Sequence, residues 1–339
     1  MKFNTLLITG ITATLMIAAA CGDGGKQSAL SDEDKLADSV QIALNELNGK
    51  IEAAPNDAAL RIERSKLLQT GGFFADAYAD AEKAVSIDSL QPAYWLEVGK
   101  TAFAVEHYLR SEGAYLTCIA IDAKNTDCMV KLSEFYLIRR KYQEAMDFAN
   151  KSLEVKPDLA RPYFVKGWIY METGDTAKSS TSYQTAVELD PNFYDAYIQL
   201  GSLASRSSKD VALDYFNSAI DIRPQSMEAL YFKAMFLQNR KRYDEARQVY
   251  ADMLVVDSNN ANAYYNLGYI QLDENKPDSA ILSFTKAISK NSRYAEAYYN
   301  RGYAYELTGK KSQAANDYKL SLSFNSKFEL AQEGLARVQ

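Results

Sequence analysis

Residues 261–294 read ANAYYNLGYIQLDENKPDSAILSFTKAISKNSRY, and residues 295–328 read AEAYYNRGYAYELTGKKSQAANDYKLSLSFNSKF. Set one under the other, Tyr264, Leu267, Gly268, Ala280, Phe284 and Ala287 fall on Tyr298, Arg301, Gly302, Ala314, Tyr318 and Ser321, each pair 34 residues apart. A period of that length points to one helical hairpin per repeat, stacked on its neighbours, and to a surface for binding rather than a pocket for chemistry. Working outward from this pair, the same pattern divides the chain into eight copies: 58–91, 92–125, 126–159, 160–193, 194–226, 227–260, 261–294 and 295–328. The fifth has 33 residues and the others 34. Its missing residue is placed within Ser205–Lys209, which reads as a short turn or as a hinge.

Close packing of two antiparallel helices explains the residue types. Gly99, Gly167, Gly201, Ala234, Gly268 and Gly302 keep the first helix small where it meets Ala77, Ala145, Ala212, Ala246, Ala280 or Ala314 of a second helix. A larger side chain there would strain the packing. Trp95, Tyr163, Tyr197, Leu230, Tyr264 and Tyr298 fill the remaining space. Pro157, Pro191 and Pro224 stop a helix at the end of their repeats, and Pro55 in the same phase implies a half repeat before the first copy. Breakers mark the turns inside the hairpins: Thr70-Gly71-Gly72, Thr173-Gly174-Asp175, Asn275-Lys276-Pro277 and Thr308-Gly309-Lys310. The second copy departs most, with Glu106-His107-Tyr108 and no glycine at its turn.

The order large-x2-Leu-Gly-x2-large, then Ala-x3-aromatic, then a small residue, then Asp-Pro resembles the tetratricopeptide repeat family. The resemblance covers nearly the whole chain after its N-terminal segment and implies an all-α fold, a right-handed superhelical α-solenoid. Stretches 34–57 and 329–339 are expected as helices that cap its two ends.

Residues 1–20 are a separate object. Lys2 gives a basic start, and Leu6–Ala20 is mostly apolar, too short and too early for a membrane span, with small residues at its end. It reads as a secretory signal. Ala18-Ala19-Ala20-Cys21 resembles a bacterial lipobox, with Ala18 where leucine is usual. The resemblance implies a lipid on Cys21; the alternative is an ordinary signal peptide and a free cysteine. Acyl chains on Cys21 would anchor the chain without a spanning helix. Stretch 21–33 would be a flexible tether, twelve such residues reaching roughly 20 Å. Gly22 after the cysteine, by resemblance to enterobacterial sorting, points to the outer membrane, facing the periplasm.

The chain carries 38 Lys and Arg against 44 Asp and Glu, a net charge of −6. An acidic chain of this kind is a poor nucleic-acid binder, because phosphate contacts need clustered Lys and Arg. Besides Cys21 there are two cysteines. Cys118 lies on a second helix and Cys128 near the start of the next. They read either as a disulfide across the turn or as two small buried residues; a Cα separation above about 7 Å would exclude the bridge. His107, the single histidine, falls at a turn, so a zinc or iron–sulfur site is not expected. No Gly-x-Ser-x-Gly elbow and no His-Glu-x-x-His occurs. Gly309-Lys310-Lys311-Ser312 lacks the spacing and the Ser or Thr of a phosphate loop. The expectation is a non-enzymatic protein with no cofactor and no metal.

In the family that the repeat resembles, positions two, five, nine, twelve and thirteen of each first helix face a concave groove. Mapped here, the early copies offer Ile62, Lys66, Leu96, Lys100, Phe103, Val130, Glu134 and Leu137. From the fourth copy onward come Phe164, Trp168, Met171, Tyr231, Met235, Tyr265, Tyr269, Leu272, Tyr299 and Tyr303, interrupted by Ser202, Ser205 and Arg206. Aromatic and methionine side chains suit an apolar or aromatic segment of a partner protein. The same residues also read as packing between first helices, or as a platform for cell-wall glycans. Family members that grip a terminal carboxylate use Lys, Asn and Arg at set positions. Here those positions give Tyr231, Met235, Asn266, Glu296 and Asn300 in the last copies and Ile62, Lys66, Glu97, Asp127 and Lys131 in the first, so that grip is not implied. Arg139-Arg140-Lys141, Arg240-Lys241-Arg242 and Lys310-Lys311 fall at hairpin turns; they read as helix-dipole partners or as an edge for an anionic surface.

Overall fold

The computed structural model describes residues 32–207 and 210–339, with side chains from residue 39. The signal segment, Cys21 and tether residues 22–31 lie outside the described residues, while Asp32 and Glu33 belong to the first helix. Among these the chain forms eighteen α-helices and no strand. They fall into two compact units, one ending at Thr173 and one beginning at Gly174.

The first unit opens with α1 (Asp32–Ala53). Three hairpins follow: α2 (Ala58–Thr70) with α3 (Phe74–Ile87), α4 (Pro92–Ala104) with α5 (Tyr108–Ile121), and α6 (Thr126–Ile138) with α7 (Tyr142–Val155). Helix α8 (Ala160–Glu172) closes the unit. The second unit opens with α9 (Thr176–Leu189). Its hairpins are α10 (Tyr194–Arg206) with α11 (Val211–Ile222), α12 (Met227–Asn239) with α13 (Tyr243–Val256), α14 (Ala261–Asp273) with α15 (Pro277–Lys290), and α16 (Ala295–Leu307) with α17 (Lys311–Phe324). The short α18 (Glu329–Val338) ends it. Within each unit, each helix packs on its neighbours in the chain. First helices also touch one another, α2 with α4, α4 with α6 and α6 with α8 in the first unit, and α10 with α12, α14 with α16 and α16 with α18 in the second.

The hairpins are tight because a glycine lets an aromatic ring lie on the facing backbone. A Cβ built on Gly268 would stand 2.7 Å from the Phe284 ring, and one on Gly302 3.1 Å from that of Tyr318. Gly99 meets Tyr115 and Gly201 meets Phe216 in the same way. Two hairpins solve the problem differently. Ser65 and Ser133 stand where glycine stands elsewhere, and Ala81 and Ala149 stand where the ring would be. The buried Ser65 hydroxyl donates to the Ala77 carbonyl at 2.8 Å, and that of Ser133 to Ala145 at 2.6 Å. In the second copy the roles are exchanged, and Ser111 on α5 donates to the Gly99 carbonyl at 2.7 Å.

The turns share one geometry whatever their sequence. Gly72, Gly174 and Gly309 have φ of 78, 88 and 73°, and Glu106, Arg140, Lys241 and Asn275 adopt 62, 57, 58 and 59° at the equivalent step. The second copy therefore has the common turn, with Glu106 in the left-handed region. In the fifth copy α11 has 12 residues where the other second helices have 14. Cys118 and Cys128 are joined in a disulfide with a Cα separation of 6.3 Å, tying α5 to α6. Both are buried.

A buried ion pair recurs near both ends of the chain. Arg64 reaches Asp80 with Nε and Nη2 at 2.6 Å each, and Arg301 reaches Asp317 at 2.7 and 2.8 Å. In each case the acid follows sixteen residues after the arginine, on the second helix of the same hairpin. Each arginine also donates to the preceding helix, Arg64 to Asn48 at 2.7 Å and Arg301 to Thr285 at 3.1 Å. The sequence reading had aligned Arg301 with Leu267 and missed the pairing; the spacing of Arg to Asp, present only in the first and last copies, is the signal that would have found it.

Candidate partner-binding surface

The aromatic positions separate into two kinds. Tyr265 stacks on Tyr294 with centroids 4.9 Å apart and leans on Phe284. Its hydroxyl accepts a hydrogen bond from Asn300 at 2.9 Å, and burial pushes it up to about 12. Tyr299 packs between Tyr318 and Phe328, at 5.8 and 5.0 Å, and burial raises its hydroxyl as well. Tyr231 lies half-buried against the core of α12 and α13. Met235 accepts from the hydroxyl of the buried Tyr250 at 3.4 Å. These four residues fill the seams between helices. Hydroxyls raised in this way stay protonated at neutral pH.

One turn further along the same helices the picture changes. Tyr269 on α14 is 45% exposed, and Tyr303 on α16 is 37% exposed. They stand 34 residues apart on helices that touch, so their rings lie on one face. Large exposed aromatics cost more to leave in water than small ones, and they favour contact with a partner.

In the first unit, Phe164 is buried at 4% exposure, with the edge of its ring towards Trp168 and the Arg161 guanidinium 5.2 Å from its centroid. Its place among the partner-binding residues is corrected: it is a packing residue. Trp168 lies against the cluster around Phe135 and Val165 and keeps part of its surface open. The groove positions of the earlier copies mix apolar residues such as Leu96 and Phe103 with charged ones, and further charged residues flank them. Lys100 pairs with Glu97 and Lys131 with Glu134, both at 2.8 Å, and Arg161 also pairs with Glu134.

Several of the cations at the turns are paired with carboxylates. Arg240 pairs with Asp210 at 3.2 Å, Lys241 with Asp273 at 3.7 Å, Arg242 with Glu245 at 2.6 Å and Lys310 with Asp278 at 3.1 Å. In the first unit Arg139 covers the Tyr108 ring at 5.0 Å, and Lys141 lies 3.9 Å from Glu112. Much of the basic runs thus serves ion pairs along each unit.

Among the described residues no group of three or more His, Cys, Asp and Glu side chains is placed to hold a metal ion, and no helix is long and apolar enough to cross a membrane.

Comparison with known proteins decides the family. Tetratricopeptide repeat models match residues 160–193, 208–263 and 265–323. These stretches are tetratricopeptide repeats. The C-terminal part of a TPR repeat-containing protein from Cytophaga hutchinsonii superposes with a TM-score of 0.60 at 19% identity, over 71% of this chain and 99% of that one, which shows the shared fold. The human protein O-mannosyl-transferase TMTC3 is 25% identical over 145 residues, and human DnaJ homolog subfamily C member 7 is 23% identical over 203 residues. The matches span 41% and 56% of this chain but only 16% and 41% of those proteins. TPR repeats of this kind indicate a scaffold for protein–protein interaction.

Proposed function

We propose that this chain is a lipid-anchored scaffold of a bacterial envelope, which holds a partner protein against the exposed tyrosines of its second unit. The observation that carries the reading is the pair Tyr269 and Tyr303, open on one face while their neighbours Tyr265 and Tyr299 are taken up in packing. An apolar or aromatic segment of the partner would lie across both rings. The anchor is the lipid on Cys21, which follows a signal-like segment and a lipobox-like Ala18-Ala19-Ala20. Tethering would raise the local concentration of the partner near the membrane, on its periplasmic side. No catalytic step is assigned to the chain.

In-cell photo-crosslinking tests the reading, with a photoreactive residue at Tyr269 and separately at Tyr303, against one on the opposite face of α15. A discrete protein adduct only from the tyrosine positions is expected. Tyr269→Ala and Tyr303→Ala should each weaken binding of that partner by about 2 kcal/mol, roughly thirtyfold. Absence of an adduct in cells where the protein is folded and exported sinks the protein-binding reading. Binding to purified peptidoglycan that both substitutions abolish would replace it with glycan recognition. Cys21→Ser should release the protein from the membrane fraction; retention there would remove the lipid anchor.

A further inference from the structure

We infer that the partner segment held by the second unit presents an arginine, whose guanidinium lies on the open ring of Tyr269 and reaches the carboxylate of Glu296. The inference rests on the reading of Tyr269 and Tyr303 as the contact surface and adds the charge of what they hold. The two rings are unused inside the chain. Elsewhere in this unit tyrosine rings are covered by the chain's own cations. Arg223 stands 4.0 Å from the centroid of Tyr194, Arg301 5.5 Å from that of Tyr298, Lys286 5.7 Å from that of Tyr264 and Lys310 5.9 Å from that of Tyr305. Other rings take a neighbouring ring, as Tyr265 and Tyr299 do. Among the described residues neither a cation nor a ring lies against Tyr269 or Tyr303. The face of an exposed tyrosine ring attracts a cation, most often a guanidinium.

Charge points the same way. Helix α14 holds no Lys, Arg or His, and α16 holds only Arg301, which is bonded to Asp317. Of the carboxylates around the rings, Asp273 takes Lys241 and Glu306 takes Arg337. Glu296 shares a face of α16 with Tyr303, seven residues on. It is exposed, and among the described residues it has neither an ion pair nor a hydrogen bond. Glu333 of α18, near enough to Tyr299 to add to the effect of burial there, is likewise without an ion pair. The surface around the rings thus keeps negative charge that the chain does not balance. Its reach can be placed. Burial first, then the charge of Glu296, raises the Tyr265 hydroxyl, and Tyr269 acts on the same hydroxyl. Glu296 and Tyr269 therefore both stand near one atom, within the span of a single long side chain. A planar guanidinium can lie flat on a ring and still fork to a carboxylate, and the apolar stem of the arginine covers the rest of the ring. An ammonium, a point charge, does only one of these well.

The test uses the full chain with ¹³C-labelled leucine methyl groups and an acetylated, amidated pentapeptide whose central arginine is flanked by leucines. Its counterpart carries citrulline, which keeps the shape of arginine and drops the charge. Leu272 and Leu307 follow the two tyrosines by three and four residues on their helices. Their methyl signals, assigned by Leu272→Ile and Leu307→Ile, should shift saturably, while those of Leu132 in the first unit stay in place. The citrulline peptide should bind about fivefold more weakly or worse. Glu296→Gln changes an exposed side chain that bonds to nothing in the fold, so circular dichroism should be unaltered. It should weaken the arginine peptide about threefold and leave the citrulline peptide unchanged. A glutamate peptide should bind more weakly than either. Equal affinity for the arginine and citrulline peptides, or full affinity of the arginine peptide for Glu296→Gln, would overturn the inference and leave the tyrosines as a contact surface. Absence of any shift at Leu272 and Leu307 with all three peptides at millimolar concentration would remove the contact surface and the inference together.

Discussion

The two units are built on one frame but close their hairpins differently. In the first unit every hairpin crossing carries a seryl hydroxyl, from Ser65, Ser111 or Ser133, bonded to a carbonyl of the facing helix. In the second unit the equivalent positions are Gly201 and Ala212, Ala234 and Ala246, Gly268 and Ala280, and Gly302 and Ala314, none of which carries a hydroxyl. The groove positions differ too, mixed charged and apolar in the first unit and richer in tyrosine in the second. The lesson is that the repeat constrains volume at the crossing and leaves the chemistry free. A glycine under a ring and a serine beside an alanine are two fillings of one space. The groove positions, which close no crossing, are freer still.

The shared frame is tested most sharply at its ends. Asp80→Ala and Asp317→Ala each strand a largely buried guanidinium that reaches its acid through two hydrogen bonds. Each should destabilise its own unit by about 3 kcal/mol, measured by denaturant unfolding with unit-specific probes. Replacing both partners at one end, as in Arg301→Leu with Asp317→Val, should cost much less than Asp317→Ala alone. If the single and double variants cost the same, the pair is not acting as a buried unit, and the likeness between the two ends is accidental.

The next test transplants the first unit's chemistry into the second. Gly268→Ser places atoms where the Phe284 ring lies and should cost about 2 kcal/mol, although serine is the better helix former. Phe284→Ala alone opens a cavity and should cost about 3 kcal/mol or more. Combined, the two recreate the Ser133 and Ala149 arrangement, and their joint cost should fall short of the sum by 1 kcal/mol or so. Additive costs would show that the two fillings are not interchangeable. A smaller effect is expected in the reverse direction. Ser133→Ala removes one buried hydrogen bond to the Ala145 carbonyl and should cost about 1 kcal/mol in thermal or chemical unfolding.

Much of the fold was legible in the sequence because a strict period of 34 places the same small residue at the same crossing again and again. Gly268 and Gly302 could be read from residue type alone. Ser65 and Ser133 were not read as their equivalents, since their role depends on Ala81 and Ala149 across the interface, and a partner on another helix is not visible in a single column of the repeat. The surface was less legible for a related reason. Tyr265 and Tyr269 sit on one helix, one turn apart, and both fit a groove stripe. Only the positions of Tyr294 and Phe284, brought in from other helices, separate the packing ring from the open one. Phe164 was misread on the same ground. The Cys118–Cys128 pair had two readings, because sequence spacing bounds the distance across a turn without fixing how the two helices face each other.

The finest comparison is at the turns, where both units hold residues other than glycine in the left-handed region. Glu106 and Arg140 in the first unit and Lys241 in the second have φ near 60°, the geometry that Gly72 and Gly309 adopt freely. A side chain there costs about 1–2 kcal/mol against the preceding and following backbone, and glycine returns part of that saving through its freer unfolded state. Glu106→Gly, Arg140→Gly and Lys241→Gly should therefore each stabilise the chain by about 0.5–1 kcal/mol, read as a higher denaturant midpoint at unchanged slope. The sizes should differ in a telling order. Lys241 also pairs with Asp273 at 3.7 Å, on an exposed edge where such a pair is worth a few tenths of a kcal/mol, so its gain should be trimmed by that amount. A loss of stability at Lys241 alongside gains at Glu106 and Arg140 would mean that the edge ion pairs of the second unit carry more weight than exposed pairs usually do, and that the units differ in their frame as well as in their lining.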